Sequence, residues 1–468
     1  MKKQLKLIVI IVAVTAVLAL AWWGISLIPN ENQGVTSGVS QTVDLYEVDR
    51  ANIVTVSVKN PTDEYLIKCE NGTTYQIETL EEFPLYTSRV SSIVSAMAEV
   101  KAKRMVEENP EDLEKYGLST PKTVVTLTDK SNNTHTLKVG DEAPSGGYYF
   151  LYNDSPAVYT ISLVSAEAFL YDRFDLVDVY LTPTSEEIPD LTFDKITLAG
   201  SVREEPIVIE LNDPDAEDVI SYFAYSITSP AKANFDSNNG NTFLNGLVSG
   251  YAERAEVFNP TEEDLEKYGF NNPYSTLELV VGGKVYQVIV GSVDEEGNVY
   301  AMRPDRDIIY KTTEHGLTWL KTQYQDLVDR LFLTPYIAEV SNVQVSFPDV
   351  TYDFETDYTE ETDLTVKYKG KTLNPDVFKC FYQVLVTAYY ENYTLETPSG
   401  ETVMTLTYTY RDGRTDTLDL FASVENPRQV IIVLNGKPTK FSMRYNFVEK
   451  VKKDCVNAIE GNEIVTDW

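Results

Sequence analysis

The segment Asn109-Pro110-Glu111-Asp112-Leu113-Glu114-Lys115-Tyr116-Gly117 recurs as Asn259-Pro260-Thr261-Glu262-Glu263-Asp264-Leu265-Glu266-Lys267-Tyr268-Gly269, with Leu113 and Leu265 152 residues apart. Pro121 and Pro273 keep that spacing, so a Tyr-Gly-x-x-x-Pro frame is identical in both copies. Such a duplication implies a chain of tandem structural repeats. Each copy reads as one short helix, with an Asn cap, Pro in the first turn, carboxylates at the positive end and Gly as the stop. The Pro that follows directs the chain into an extended strand.

The strands repeat as well. Residues 123–128 turn through 129–133 into 134–140, and residues 276–281 turn at Gly282-Gly283 into 285–291. Paired glycines suit a hairpin because both accept positive φ. Further strand pairs follow at 148–151 with 158–161 and at 299–302 with 308–310, and helical stretches end at Leu176-Val177 and Leu327-Val328. Upstream, Val90, Ile93, Val94, Met97 and Val100 fall at helical spacing, as do Leu244, Leu247, Val248 and Tyr251.

A third, degenerate repeat begins after about Ile337. It has strands near 342–346, 364–368, 403–410, 417–421 and 430–433, a helix near 375–390 and a hairpin at Asp412-Gly413. Tyr393 to Pro398 replaces the Asn-Pro helix, as expected of a terminal repeat that has drifted. Glu355 to Asp363 reads as a solvated acidic loop.

Lys2, Lys3 and Lys6 flank an apolar run that opens at Leu5, closes at Ile28 and contains no acidic residue. It is long enough to cross a hydrocarbon core of about 30 Å. Ala19-Leu20-Ala21 would suit a signal peptidase, but the apolar stretch continues through Trp22, Trp23, Ile25 and Leu27. That exceeds a typical signal-peptide core of about 7–15 residues, so an uncleaved anchor is expected. The lysines place the N-terminus in the cytoplasm and the main domain outside the cell membrane.

The fold class expected is α+β, an N-terminal transmembrane helix followed by three similar units of mostly antiparallel sheet, each with a packed helix. The boundaries are residues 1–28 for tip and anchor, 29–42 for a flexible stalk, and 43–185, 186–336 and 337–468 for the repeats.

Little reactive chemistry is visible. The net charge of -33 repels nucleic acid and anionic lipid. No Gly-rich phosphate loop, Gly-x-Ser-x-Gly elbow, His-Glu-x-x-His or cysteine cluster occurs. His135 lies in a hairpin strand whose other copy carries Gln287 or Tyr286 at that place, so it reads as a surface strand residue, and His315 as an exposed residue at a helix start. Cys69, Cys380 and Cys455 read as buried free thiols. Asp294-Glu295-Glu296-Gly297-Asn298 lacks the alternating ligands of a calcium loop and reads as a hairpin turn. No catalytic, cofactor-binding or metal residue is assigned, and no cofactor is expected. The 31 tyrosines suit glycan or protein surfaces, or half-buried strand faces.

The motif at 109–118, Gly147-Tyr148-Tyr149-Phe150, Ala157-Val158-Tyr159-Thr160-Ile161 and the second-copy stretches 264–270 and 298–301 together resemble the bacterial domain of unknown function 4340 family. Ile227-Thr228-Ser229-Pro230 resembles its strand-then-Pro approach to a helix. The resemblance covers residues 43–335 well and the last third weakly. It implies a membrane-anchored envelope protein beside an ABC-type export system related to gliding-motility transporters, and it brings no catalytic residues.

The function expected is a non-enzymatic extracytoplasmic binding or scaffold module accessory to such a transporter. Its partners would be the membrane, transporter subunits, and an envelope glycan or protein. The alternative is an envelope glycan- or peptide-binding protein with a groove between repeats lined by Tyr and carboxylates. A carboxylate-dependent hydrolase comes third, since 72 acidic residues leave any catalytic pair unspecified.

Overall fold

The computed structural model describes residues 42–144, 146–213, 224–359 and 363–467. The run from Leu5 to Ile28 and residues 29–41 of the expected stalk lie outside them. No helix among the described residues is long and apolar enough to cross a membrane.

Strands with apolar residues at alternate positions meet at the centre of three antiparallel sheets. Ile53–Lys59 buries Ile53, Val56 and Val58 and pairs with Thr123–Asp129, which buries Val125 and Leu127. Lys195–Ala199 pairs likewise with Ser275–Val281, and Val340–Phe347 with Thr402–Tyr410. From its central pair the first sheet extends one way through Glu64–Cys69 to Tyr75–Ile77. The other way it passes through Thr134–Glu142, Tyr148–Tyr152 and Val158–Ile161 to Arg104–Glu107.

The second sheet has the same order with one further edge strand, Ala233–Asn234. Ile207–Leu211, Tyr225–Ser229 and Ala233–Asn234 lie on one side, and Lys284–Val293, Asn298–Met302, Ile308–Thr313 and Arg254–Phe258 on the other. In the third sheet Val350–Thr359, Asp363–Tyr368 and Lys371–Thr372 oppose Thr415–Ala422, Gln429–Leu434, Lys437–Arg444 and Asn392–Tyr393. The α+β architecture of repeated, mostly antiparallel sheets is therefore the one expected. The third repeat keeps the strand order although its sequence has drifted.

In each repeat a helix carries the chain from the last strand of one side toward the far edge: Thr87–Ala98, Ser237–Asn245 and Pro375–Val386. The first lays Val90, Ile93, Val94 and Met97 on the central strands. Val100 is not on it. The helix stops at Ala98, and Val100 is buried from Glu99–Ala102, whose alternation of charged and apolar residues is a strand pattern. The second helix likewise ends before Leu247, Val248 and Tyr251. Gly246 closes it, donating to Thr242 O and Phe243 O, where a Cβ would lie 2.2 Å from Thr318 Oγ1.

The third helix sets Phe378 and Phe381 against Phe354, with ring centroids 5.4 and 5.5 Å apart. Each such ring contributes about 1.5–3 kcal/mol by burial. A helix that the spacing did not single out, Asn446–Glu460, packs on it and buries Phe447, Val451, Cys455 and Ala458. Glu355 to Asp363 is not a loop where described. Glu355 and Asp357 are the wet positions of Val350–Thr359, alternating with buried Phe354 and Thr356, and Asp363 opens the next strand.

The duplicated segment is the connection from the far edge strand back to the sheet centre. In the second repeat it is the helix Glu262–Lys267, in the first a single 3-10 turn, Glu114–Tyr116. The expected Asn caps are not used. Thr261 accepts the Asp264 N–H at 3.2 Å while the Asp264 carboxylate accepts the Thr261 N–H at 2.9 Å, a reciprocal cap that depends on Thr261, which the first copy lacks. In the first copy Asp112 accepts the Glu114 N–H at 2.8 Å. The glycine stops are as expected, with Gly117 at φ +66° and Gly269 at +83°.

The returning chain then rests on a second glycine. A Cβ on Gly140 would lie 2.2 Å from Tyr116 O, and one on Gly291 would lie 2.2 Å from Tyr268 O. The rings beside these contacts also match, Tyr116 on Tyr149 at 4.8 Å and Tyr268 on Tyr300 at 4.6 Å. In the third repeat a carboxylate does this work. Glu396 accepts from the Ser423 hydroxyl and the Val424 N–H, both at 2.5 Å, at the end of Thr415–Ala422, the strand equivalent to those ending near Gly140 and Gly291.

The described residues form two compact units. One takes in residues up to Glu81 together with Thr87–Arg173, and the other Glu82–Tyr86 with the described residues from Phe174 on. Arg203 organises the interior of the second. Its Nε donates to Thr322 O, Nη1 to Ala199 O and Ser275 Oγ, and Nη2 to Trp319 O and Leu320 O, at 2.7–3.0 Å. All five N–H donors meet neutral acceptors. Burial pulls its pKa down to about 10, which leaves it cationic at neutral pH.

Two stability outcomes follow. Gly140→Ala and Gly291→Ala each lower unfolding free energy by about 1–3 kcal/mol in urea titration, as overpacking against fixed backbone does, whereas Gly282→Asn in an open turn changes it by less than about 0.5 kcal/mol. Arg203→Met leaves buried carbonyls unpaired and costs about 3 kcal/mol or more. Arg203→Lys, with three donors, fails to restore the native melting temperature.

Candidate functional site

Within the second compact unit a column of rings joins the chain after the second sheet to the third sheet. Phe332 stacks on Tyr390 at 4.6 Å and Tyr390 on Phe441 at 4.3 Å, with Tyr324 5.5 Å from Phe441. Leu331 bridges to Tyr389, and Lys440 pairs with Glu205. These contacts hold the outer strands of the second sheet opposite a hairpin of the third. The groove left between them has a volume of about 490 Å³, within the range of roughly 300–1,000 Å³ usual for ligand sites.

One wall is the face of the second sheet opposite its core side chains. Glu210 and Ser226 are cross-strand partners there and Thr228 follows two residues on, while Ile209, Tyr225 and Ile227 point the other way and are buried. Lys232 and Asn234 continue that wall, and Asp416, Asn435, Lys437 and Thr439 form the opposite one. The floor is Phe332, Leu333 and Tyr390, all buried.

Asp416 is held in place by the Asn435 amide at 2.8 Å and the Tyr410 hydroxyl at 2.6 Å. Burial, and after it the Asp416 carboxylate, pushes the Tyr410 hydroxyl well above the usual phenol range, so it remains a donor. Burial does the same to Tyr390. Glu210, Lys232 and Lys437 form no ion pair among the described residues. The groove thus offers donors, acceptors and both signs of charge over an apolar floor.

A second cavity of about 290 Å³ is lined by Arg203, Gln323, Tyr324 and Tyr393. Arg203 has no donor left for a ligand there, because its five N–H groups are engaged by the protein.

The residues singled out by sequence lie elsewhere. His135 stacks on Tyr46 at 4.0 Å and shares a 2.8 Å hydrogen bond with the Tyr152 hydroxyl. It is half-buried, and strand register makes Tyr286 its counterpart: His135 faces Leu127 as Tyr286 faces Leu279. His315 is exposed in the turn Glu314–Gly316. Cys69 and Cys455 are buried free thiols, while Cys380 is only half-buried, on the rim of its helix. The Asp294 carboxylate accepts the Glu296 and Asn298 N–H groups at 3.0 and 2.8 Å, which makes the segment a hairpin turn. No group of three or more His, Cys, Asp or Glu among the described residues could hold a metal ion.

None of the groove residues stood out in the sequence. They are ordinary Ser, Thr, Asn and charged residues drawn from separate segments between 210 and 439, with no shared spacing.

The fold defines an α+β repeat protein with a polar groove between two of its sheets. A profile described as Domain of unknown function (DUF4340) matches residues 76–249 and 225–402, and the chain belongs to that family. The matches start 149 residues apart, each within or beside an outer strand, so the family's unit runs from the end of one sheet through the helix of the next. No curated protein and no solved structure matched the chain.

His135 gives a pH prediction. Burial lowers its pKa, with Asp129 opposing. A histidine whose folded pKa is depressed contributes stability that is complete above the unfolded value near 6.5 and is lost as pH falls below it. Urea titrations at pH 7.5 and 5.5 are expected to show a smaller acid-side loss for His135→Gln than for the wild type.

Proposed function

We propose that the protein is a non-enzymatic, membrane-tethered binding module of the cell envelope that holds its ligand in the groove between the second and third sheets. The groove carries this reading: its polar walls come from two different repeats, and a buried aromatic column fixes the distance between them. The lining carboxylates of Glu210 and Asp416 support a ligand-binding protein over a purely flat scaffold surface. The apolar run from Leu5 to Ile28 supports the tether, and family resemblance supports work beside an ABC-type exporter.

A photo-crosslinking residue at Thr228 or Asn435 of the full-length protein in its native membranes tests the reading, with Leu66 and Lys369 as exposed control positions. Adducts to an envelope component or transporter subunit from the groove positions alone are expected. Equal labelling from all four positions would remove the groove from the proposal. Failure to recover any ABC-transporter subunit in a parallel pull-down would remove the transporter.

A further inference from the structure

The groove's lining narrows the class of ligand. Sugar rings bind by laying their C–H faces on accessible aromatic faces. The aromatic residues lining the groove among the described residues are Phe332 and Tyr390, both buried, and Tyr390 is sandwiched between Phe332 and Phe441. Neither offers a free face.

The walls instead match a polypeptide. Ser226 and Thr228 both line the groove from one strand and offer hydroxyls to a chain lying along it, with a bulge against Val208 and Ile209 at Thr228. The amide of Asn234 carries a donor and an acceptor, the complement of peptide C=O and N–H groups, whereas the Asn435 amide is engaged by Asp416 and the Thr417 N–H. Glu210 on one wall, and Lys232 and Lys437, are charges of both signs without an ion-pair partner among the described residues. An uncharged glycan would leave them unmatched.

Resting on the binding-groove reading, we propose that the groove takes an extended polypeptide segment bearing both basic and acidic side chains, the basic ones toward Glu210 and the acidic ones toward the two lysines.

The test exposes full-length protein in detergent micelles to a randomised octapeptide library and, separately, to dye-labelled chitotetraose. The control is Thr228→Trp, an exposed position where an indole fills the groove without entering the core; an unchanged melting temperature confirms its fold. Peptides carrying both Lys or Arg and Asp or Glu should be enriched over the Thr228→Trp control. Glu210→Gln and Lys437→Gln should each weaken the best of them about two- to fivefold in fluorescence anisotropy. No enrichment over Thr228→Trp, or enriched peptides indifferent to both charge variants, overturns the proposal. Chitotetraose binding that Thr228→Trp abolishes, without peptide enrichment, also overturns it but leaves the groove as a binding site. Failure of both ligands together with silent groove crosslinks removes the site itself.

Discussion

The contact of a tyrosine carbonyl with a glycine Cα, Tyr116 on Gly140 and Tyr268 on Gly291, is the constraint from which the repeat is built. Each sheet is laid down in two halves, and the second half must return from the far edge to pair beside the first strand. The returning chain crosses the sheet's end so closely that no side chain fits beneath it. A left-handed glycine immediately afterwards turns it into the central strand. Without that crossing the central ladders could not close, and the helix would have no continuous apolar face to cover.

The third repeat reaches the same topology by other chemistry. Glu396 fastens the returning loop through two hydrogen bonds, so attraction between charge and donors replaces close approach of backbone to backbone. Partial burial works to raise the Glu396 pKa, but the Ser423 hydroxyl and the neighbouring N–H groups hold it below the usual range. The Phe354, Phe378 and Phe381 cluster and the Asn446–Glu460 helix then close the core on that side.

The groove is a by-product of how the second and third repeats join. Apolar contact centres on the column Phe332, Tyr390 and Phe441, with Tyr324 and Leu333 beside it, and around it the strands turn their polar faces toward each other. A rigid apolar floor fixes the width, and the surface alternation of two sheets supplies the lining. Arg203 stiffens the second repeat, since three of its five hydrogen bonds tie the 199–203 turn to the 319–322 segment and a fourth reaches Ser275.

The repeat, its hairpins and its glycines were legible in the sequence because they are local: a cap, a stop and a turn are each written in a few adjacent residues. Where two local patterns overlapped, the reading failed. Val100 continued a helical spacing that the chain had already left for a strand, and the acidity of Glu355 and Asp357 masked a period of two. The sequence alone determined the number of repeats, the antiparallel class and the family. Tertiary structure alone decided the groove, because its lining residues become neighbours only when two sheets are set side by side. No local propensity marks a Ser226, an Asn435 or a Lys437 that meets its counterpart across a gap of some two hundred residues.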